Sequence, residues 1–236
     1  MGTGHDVHIA IAGRPRPRRA HSHPAARSPG AQGLGIIRRP EQSDTLRAAG
    51  AQPLLLDLAT ATAAQLAVLL TGADAVVLAA GVGRGDACRA HPVDRDAPLT
   101  MADAAELVGV RRYIMLSALG ADPTMRYPVD HVVQAFMRGK GEVDRNLLSR
   151  PALDCTILRP SWFRDGAGTG RVRLAETTGP GEVNRADVAV VLAALLATPA
   201  TAGRTLELVS GTTPVHAAVA AVCRGSFRAP SLAPFE

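Results

Sequence analysis

A single lysine, Lys140, stands among 26 basic residues, the other 25 being arginine. Wherever a fixed positive charge suffices, this sequence uses arginine. Lysine differs in offering a compact ammonium whose pKa its surroundings can move. A lone lysine in such a chain is a candidate for chemistry, with survival by chance as the plainer alternative. Other reactive types are sparse. His21-Ser22-His23 and Cys88 with His91 are the only His/Cys clusters. Neither has the ligand number of a zinc site, so both read as loop residues and no metal is expected. Cys88, Cys155 and Cys223 are an odd number without CxxC spacing, which reads as reduced thiols of a cytoplasmic protein. Asp57, Gly81 and Ser117 stand out by position, because each directly follows a short apolar run.

Those runs are the elements that must position the chemistry. Val7 to Ala12, Leu34 to Ile37, Pro53 to Leu56, Asp74 to Ala80, Tyr113 to Leu116 and Cys155 to Leu158 are nearly continuous apolar sequence. That pattern predicts strands covered on both faces. Helices are expected between them, over Glu41 to Ala49, Ala63 to Leu70, Pro98 to Val108 and Val129 to Leu148, with glycine stops at Gly50, Gly72 and Gly109. Asn184 to Ala197 predicts a further helix and Thr205 to Val209 a further strand, while residues from Arg224 onward read as a loose tail. The alternation implies an α/β fold with a doubly wound, Rossmann-like parallel sheet in one domain over residues 1–223. Such sheets bind ligands at the carboxyl ends of their strands, where Asp57, Gly81 and Ser117 lie.

Charge marks the one segment that breaks the pattern. The net charge of +5 would suggest a nucleic-acid partner if it were spread over the chain. Residues 1–40 instead hold seven arginines and one acid, and the other 196 residues carry a net −1. Residues 14–32 contain five Arg, four Pro, two His, no acid and no Val, Ile, Leu, Met or aromatic residue. Pro15, Pro17, Pro24 and Pro29 remove helix donors, yet the first crossover helix belongs here if the first two strands are parallel neighbours. An atypical first crossover is therefore expected. An Arg/Pro/Ala/His-rich product is what an out-of-frame stretch of GC-rich coding sequence tends to give, and the bias of arginine over lysine fits such a gene. No apolar stretch is long enough to span a bilayer, and the first residues lack an apolar export core.

Several ordered blocks between Gly35 and Ala221 carry a family resemblance. They are Ile36-Ile37-Arg38-Arg39-Pro40, Asp57-Leu58, Ala79-Ala80-Gly81, Val93-Asp94-Arg95-Asp96, Gly109 to Ser117, Ile157-Leu158-Arg159-Pro160, Gly168 to Val172 and Asn184 to Ala189. With these the sequence resembles the atypical short-chain dehydrogenase/reductase superfamily, in particular NAD(P)-binding NmrA-like and sugar-epimerase-like bacterial proteins. The resemblance implies cofactor contacts at Gly13, Arg38, Arg39, Asp57, Leu58, Ala80, Gly81, Lys140 and Pro160, and catalytic roles for Ser117 and Lys140. Arg38 and Arg39 stand where the 2′-phosphate of NADP would lie, which favours NADP with NAD as the alternative; a solvated arginine pair is the competing reading. Asp57 would take the adenine amino group or simply cap the next turn. Trp162 and Phe163 would line the nicotinamide and substrate pocket or pack in the core.

Two departures from the family weigh on function. Its Tyr-x-x-x-Lys element, in which tyrosine moves the proton and lysine binds the ribose, matches Phe136-Met137-Arg138-Gly139-Lys140. A phenyl ring transfers no proton, and Tyr127 offers no spacing reason to replace it. The family's Gly-x-x-Gly-x-x-Gly turn, which seats the diphosphate on a helix N-terminus, keeps only Gly13 before Arg14-Pro15-Arg16-Pro17-Arg18-Arg19. The leading expectation is an oxidoreductase or epimerase-like enzyme on an unknown small molecule, impaired at these points. A non-catalytic NAD(P)H-binding regulator is the alternative. Nucleic-acid binding through Arg14 to Arg19 is the weakest, because that cluster has no aromatic residues for stacking.

Overall fold

The apolar runs become strands and the glycine stops end helices where the sequence predicts. The computed structural model describes residues 7–13, 31–81, 92–124 and 130–224. Six parallel strands come first: β1 (Val7–Gly13), β2 (Ala31–Ile37), β3 (Ala51–Leu55), β4 (Ala75–Ala79), β5 (Arg112–Leu116) and β6 (Asp154–Pro160). Helices α1 (Ser43–Ala48), α2 (Ala63–Leu70), α3 (Ala97–Leu107) and α4 (His131–Leu148) lie between them. A wide helical turn, Pro92–Asp96, precedes α3. Gly72 and Gly109 follow α2 and α3 with φ of 80° and 76°, the left-handed conformation that closes a helix and costs glycine least.

The last third is more regular than the sequence suggests. It adds β7 (Trp162–Arg164), β8 (Arg171–Ala175), β9 (Glu182–Asn184), α5 (Arg185–Leu196), β10 (Thr205–Ser210), β11 (Thr213–Pro214) and α6 (Val215–Arg224). The main sheet runs β11-β8-β10-β6-β5-β4-β1-β2-β3, and β7 pairs with β9 in a small second sheet. The sheet is mostly parallel, β8 and β11 being the antiparallel additions. The terminal helix takes in Arg224, the first residue of the expected tail, and the rest of that tail lies outside the described residues. So does the expected atypical crossover, apart from Ala31 and Gln32, which belong to β2.

Alternation along β1 divides the core. Ala10 and Ala12 face α2, α3 and α4 through Leu66, Met101 and Leu147. Ile9 and Ile11 face the layer that holds α5 and α6, with Val191, Leu195 and Val219. At the amino end of β5, Arg112 fastens the layers, donating to Asp154 O, Thr156 Oγ1, Leu195 O and Thr201 Oγ1 at 2.7–2.9 Å. The chemistry-bearing residues collect at the opposite, carboxyl edge.

Candidate functional site

The central strand order 3-2-1-4-5-6 reverses between β1 and β4, the switch point at which doubly wound sheets leave a ligand crevice. Gly13 pairs with Ala79 across it, and Ala80 and Gly81 continue from β4. Arg38 and Arg39 leave β2 exposed, and the Arg39 amide donates to Gln42 Oε1 at 3.0 Å. Asp57 and Leu58 follow β3, half-buried. The Asp57 carboxylate accepts the Ala59 amide at 3.0 Å, so it caps the turn that leads to α2. Ser117 follows β5, with its amide donating to Leu158 O, and Pro160 ends β6, buried. The predicted site residues thus line one edge of one sheet.

Lys140 is buried, 4% exposed, and its ammonium lies 3.0 Å from Asp94 Oδ1 on the wide turn before α3. The Phe136 ring centroid stands 5.8 Å from Lys140 Nζ, one helical turn earlier on α4. A side chain at position 81 would bring its Cβ within 3.2 Å of the same Asp94 oxygen. Gly81, Asp94 and Lys140 therefore form one contiguous group beside the switch point.

A second cluster adjoins it on α4. Asp144 Oδ2 accepts from Ser117 Oγ and Arg159 Nε, each at 2.8 Å. Asp144 is 1% exposed, and its Oδ1 has no hydrogen-bond partner among the described residues. Burial pushes its carboxyl above the ordinary carboxylate range, against the opposing pull of the Arg159 charge, the Ser117 and Arg159 hydrogen bonds and Lys140. An open hollow of about 420 Å³ lies beside this cluster, lined by Pro123, Gly141, Arg145, Leu148 and Ser149 together with Asp144 and Arg159.

Sequence reasoning placed Ser117 and Lys140 together but gave no role to their partners Asp94, Asp144 and Arg159. The signal was present in the four-residue spacing of Lys140 and Asp144, which puts both on one helix face. Trp162 is 64% exposed on β7, and Phe163 is partly exposed under the Arg185 guanidinium, 4.2 Å from its ring centroid. The core-packing alternative for these two rings is therefore corrected: a three-residue strand paired only with β9 leaves them at the surface. Asp187, at the start of α5, accepts the amides of Thr169 and Gly170 at 3.0 and 2.7 Å and so fixes the Gly168 to Val172 block. Tyr127, His21, His23, Cys88 and His91 lie outside the described residues. Among the described residues no group of three metal-ligating side chains forms, and no helix is long and apolar enough to cross a membrane.

The sequence over residues 21–199 matches a family model described as NAD(P)H-binding. The chain belongs to the NAD(P)H-binding family. Its motif order places it with the atypical short-chain dehydrogenase/reductases. A relative in Bacillus subtilis, named uncharacterized sugar epimerase YhfK, is 31% identical over 185 residues, covering 78% of this chain and 85% of its own. A Bacillus halodurans structure described as an NAD-dependent epimerase/dehydratase superposes with a TM-score of 0.80 at 26% identity, over 91% of this chain and 99% of that one. The oxidoreductase ylbE of Lactococcus lactis superposes at 0.79 with 20% identity, over 94% and 99%, and shows the shared fold. The chain is thus an oxidoreductase-like protein with a Rossmann-like nicotinamide-cofactor domain.

Proposed function

We propose that this chain binds NADP(H) along the carboxyl ends of β1 to β4, with the nicotinamide toward Lys140 and Ser117, as an oxidoreductase of restricted chemistry. The observation that carries the reading is the placement of Gly81, Asp94 and Lys140 in one group beside the switch point. Gly81 leaves the backbone open to a ribose or diphosphate. The exposed Arg38 and Arg39 offer planar forks to a 2′-phosphate. Asp57 already caps its own turn through Ala59, so adenine recognition there would share that carboxylate or use the backbone. A bound NADP(H) would supply a hydride donor or acceptor. Lys140, held by Asp94, would present its ammonium to the ribose.

The side chains narrow the chemistry. Oxidising an alcohol, or epimerising a sugar through a keto form, needs a base for the hydroxyl proton. Phe136 provides none, and the Ser117 hydroxyl is committed to Asp144. Hydride delivery to an acceptor that takes its proton from water fits better than the epimerase chemistry named for the Bacillus subtilis relative. The same commitments of Ser117 and Lys140 favour a second reading, a dinucleotide-binding regulator without turnover.

Titrating the protein with NADPH and NADH tests the first step. Preferential NADPH binding that Arg38→Ala with Arg39→Ala abolishes is expected, and binding of neither nucleotide would sink both readings. Oxidation of bound NADPH by a soluble electron acceptor separates enzyme from regulator. Phe136→Tyr then asks whether adding the proton donor extends the activity to alcohols or ketones.

A further inference from the structure

β1 and β2 are parallel neighbours in continuous register, from Val7 opposite Ala31 to Ala12 opposite Ile36. Such a pair requires a crossover, and the crossover helix must turn an apolar stripe toward the sheet. Seventeen residues, Arg14 to Gly30, are available, enough for that helix. The sheet face on that side carries Ile9 and Ile11, which already pack with the α5/α6 layer, and Gly33 and Gly35 beside them on β2. Residues 14–32 nevertheless contain no Val, Ile, Leu, Met or aromatic residue, and four prolines. The length suits the topology and the composition does not.

The genetic code accounts for both. One nucleotide further on, each codon consists of the second and third bases of one present codon and the first base of the next. Glycine (GGN) or arginine (CGN or AGR) followed by arginine, proline or alanine then gives a codon beginning GN, which can encode Gly, Ala, Val, Asp or Glu. That class falls at the junctions 13/14, 14/15, 16/17, 18/19 and 19/20 and again at 30/31, so 13/14, 16/17 and 19/20, three apart, can all be glycine as a Gly-x-x-Gly-x-x-Gly turn requires. Beyond it, His21-Ser22 and His23-Pro24 give only Thr or Ile, and the junctions from Pro24 to Arg27 all admit Leu. No junction from 13/14 to 32/33 begins with T, so this frame contains no stop codon. The remaining frame, with the common CGN arginines, excludes glycine from every junction between Gly13 and Arg19.

Base composition points the same way. In the shifted frame the third codon positions are the first bases of the present codons. Pro, Ala, His, Gly and Gln always begin with G or C, as does arginine in four of its six codons; Ser22 and Ser28 are the exceptions. A third position almost uniformly G or C is the mark of a GC-rich gene, which the 25 arginines against one lysine indicate independently.

We propose that residues 14 to about 32 are translated one nucleotide out of register, and that the frame one nucleotide further on encodes the native crossover, a glycine-rich anion-binding turn followed by an apolar-faced helix. The frame assignment stands on the code and the sheet. Its consequence for a diphosphate rests on the dinucleotide site proposed above.

Sequencing the gene across codons 13 to 34 decides the frame. Glycine or alanine at the three junctions, followed by a Leu/Ile/Val-rich stretch without proline, is expected; a Pro-, Asp- or His-rich product would overturn the proposal. The second test compares the chain as it stands with one carrying the shifted-frame residues, by thermal unfolding without nucleotide and by titration with NADPH. The shifted-frame protein should melt several degrees higher, because its helix adds apolar side chains to the sheet face on which residues 14–32 offer no Val, Ile, Leu, Met or aromatic residue. Equal or lower melting would overturn the structural half of the proposal. It should also bind NADPH roughly tenfold tighter or better, through added backbone donors. Higher melting with no NADPH binding by either protein would uphold the frame and overturn the cofactor reading alone.

Discussion

Lys140 owes its place to a carboxylate from a different part of the chain. Asp94 and Lys140 are both almost fully buried and 3.0 Å apart. Removing one partner of a buried pair leaves the other charge without compensation. Asp94→Ala should therefore destabilise the protein by about 3–5 kcal/mol, read from urea unfolding. A loss under about 1 kcal/mol, the scale of an exposed pair, would show that water reaches Lys140. Asp144 poses a different problem, since burial raises its carboxyl above the ordinary value of 3.8. Stability from a group whose folded pKa is raised is fully present below the unfolded value and is lost as pH rises through the folded one. Wild type should thus lose stability relative to Asp144→Asn as pH rises from below 3.8 through the raised value, then run level with it. Urea midpoints across that range check the sign. The opposite slope would mean that Arg159 and Ser117 outweigh burial.

At the scale of elements, α4 carries the site. It presents Phe136, Lys140 and Asp144 from successive turns of one face, and Asp130 caps its start by accepting the Val132 amide at 2.8 Å. Its approach depends on Gly141, where an added Cβ would fall on the backbone of Asp122 and Pro123. Gly141→Ala should cost about 1–3 kcal/mol by overpacking. It should also speed amide exchange in α4 around Lys140 as the helix backs away, whereas unchanged exchange would place the strain in the 122–123 loop. Most elements were legible because each carries its own signal, such as the apolar run of β4 or the Gly72 stop of α2. Two missed elements also carried one. β8 alternates, with Val172 and Leu174 buried between exposed arginines, and α6 buries Val215, Ala218 and Val219 at helical spacing. β7 and β9, three residues each, are too short for any periodicity to show.

For the whole molecule, ligand binding and folding are linked. A nucleotide that binds only the folded chain adds about 2.7 kcal/mol of stability at a hundred times its dissociation constant. That corresponds to a rise in Tm of roughly 5–10 °C for a chain of this size. On the proposed NADP(H) reading, NADPH should raise Tm more than NADH at equal concentration, measured by scanning calorimetry, because only NADPH would bring a 2′-phosphate to the exposed Arg38/Arg39 pair. Equal shifts would mean that those arginines remain in solvent.

The sequence by itself determined the strand order of chemistry. Apolar runs ending in Asp57, Gly81 and Ser117, together with a lone lysine, point to a doubly wound sheet and its carboxyl edge, because local hydrophobic patterning is written residue by residue. It also recorded the Arg/Pro-rich composition of residues 14–32, since composition needs no coordinates. Only the tertiary structure decided which charges meet. The Lys140–Asp94 and Ser117–Asp144–Arg159 contacts join α4 to the turn before α3 and to the ends of β5 and β6. No spacing rule reaches across those elements. The sheet and the helix layer have to pack before the buried carboxylates acquire their partners, and those partners decide what chemistry Ser117 and Lys140 are left free to do.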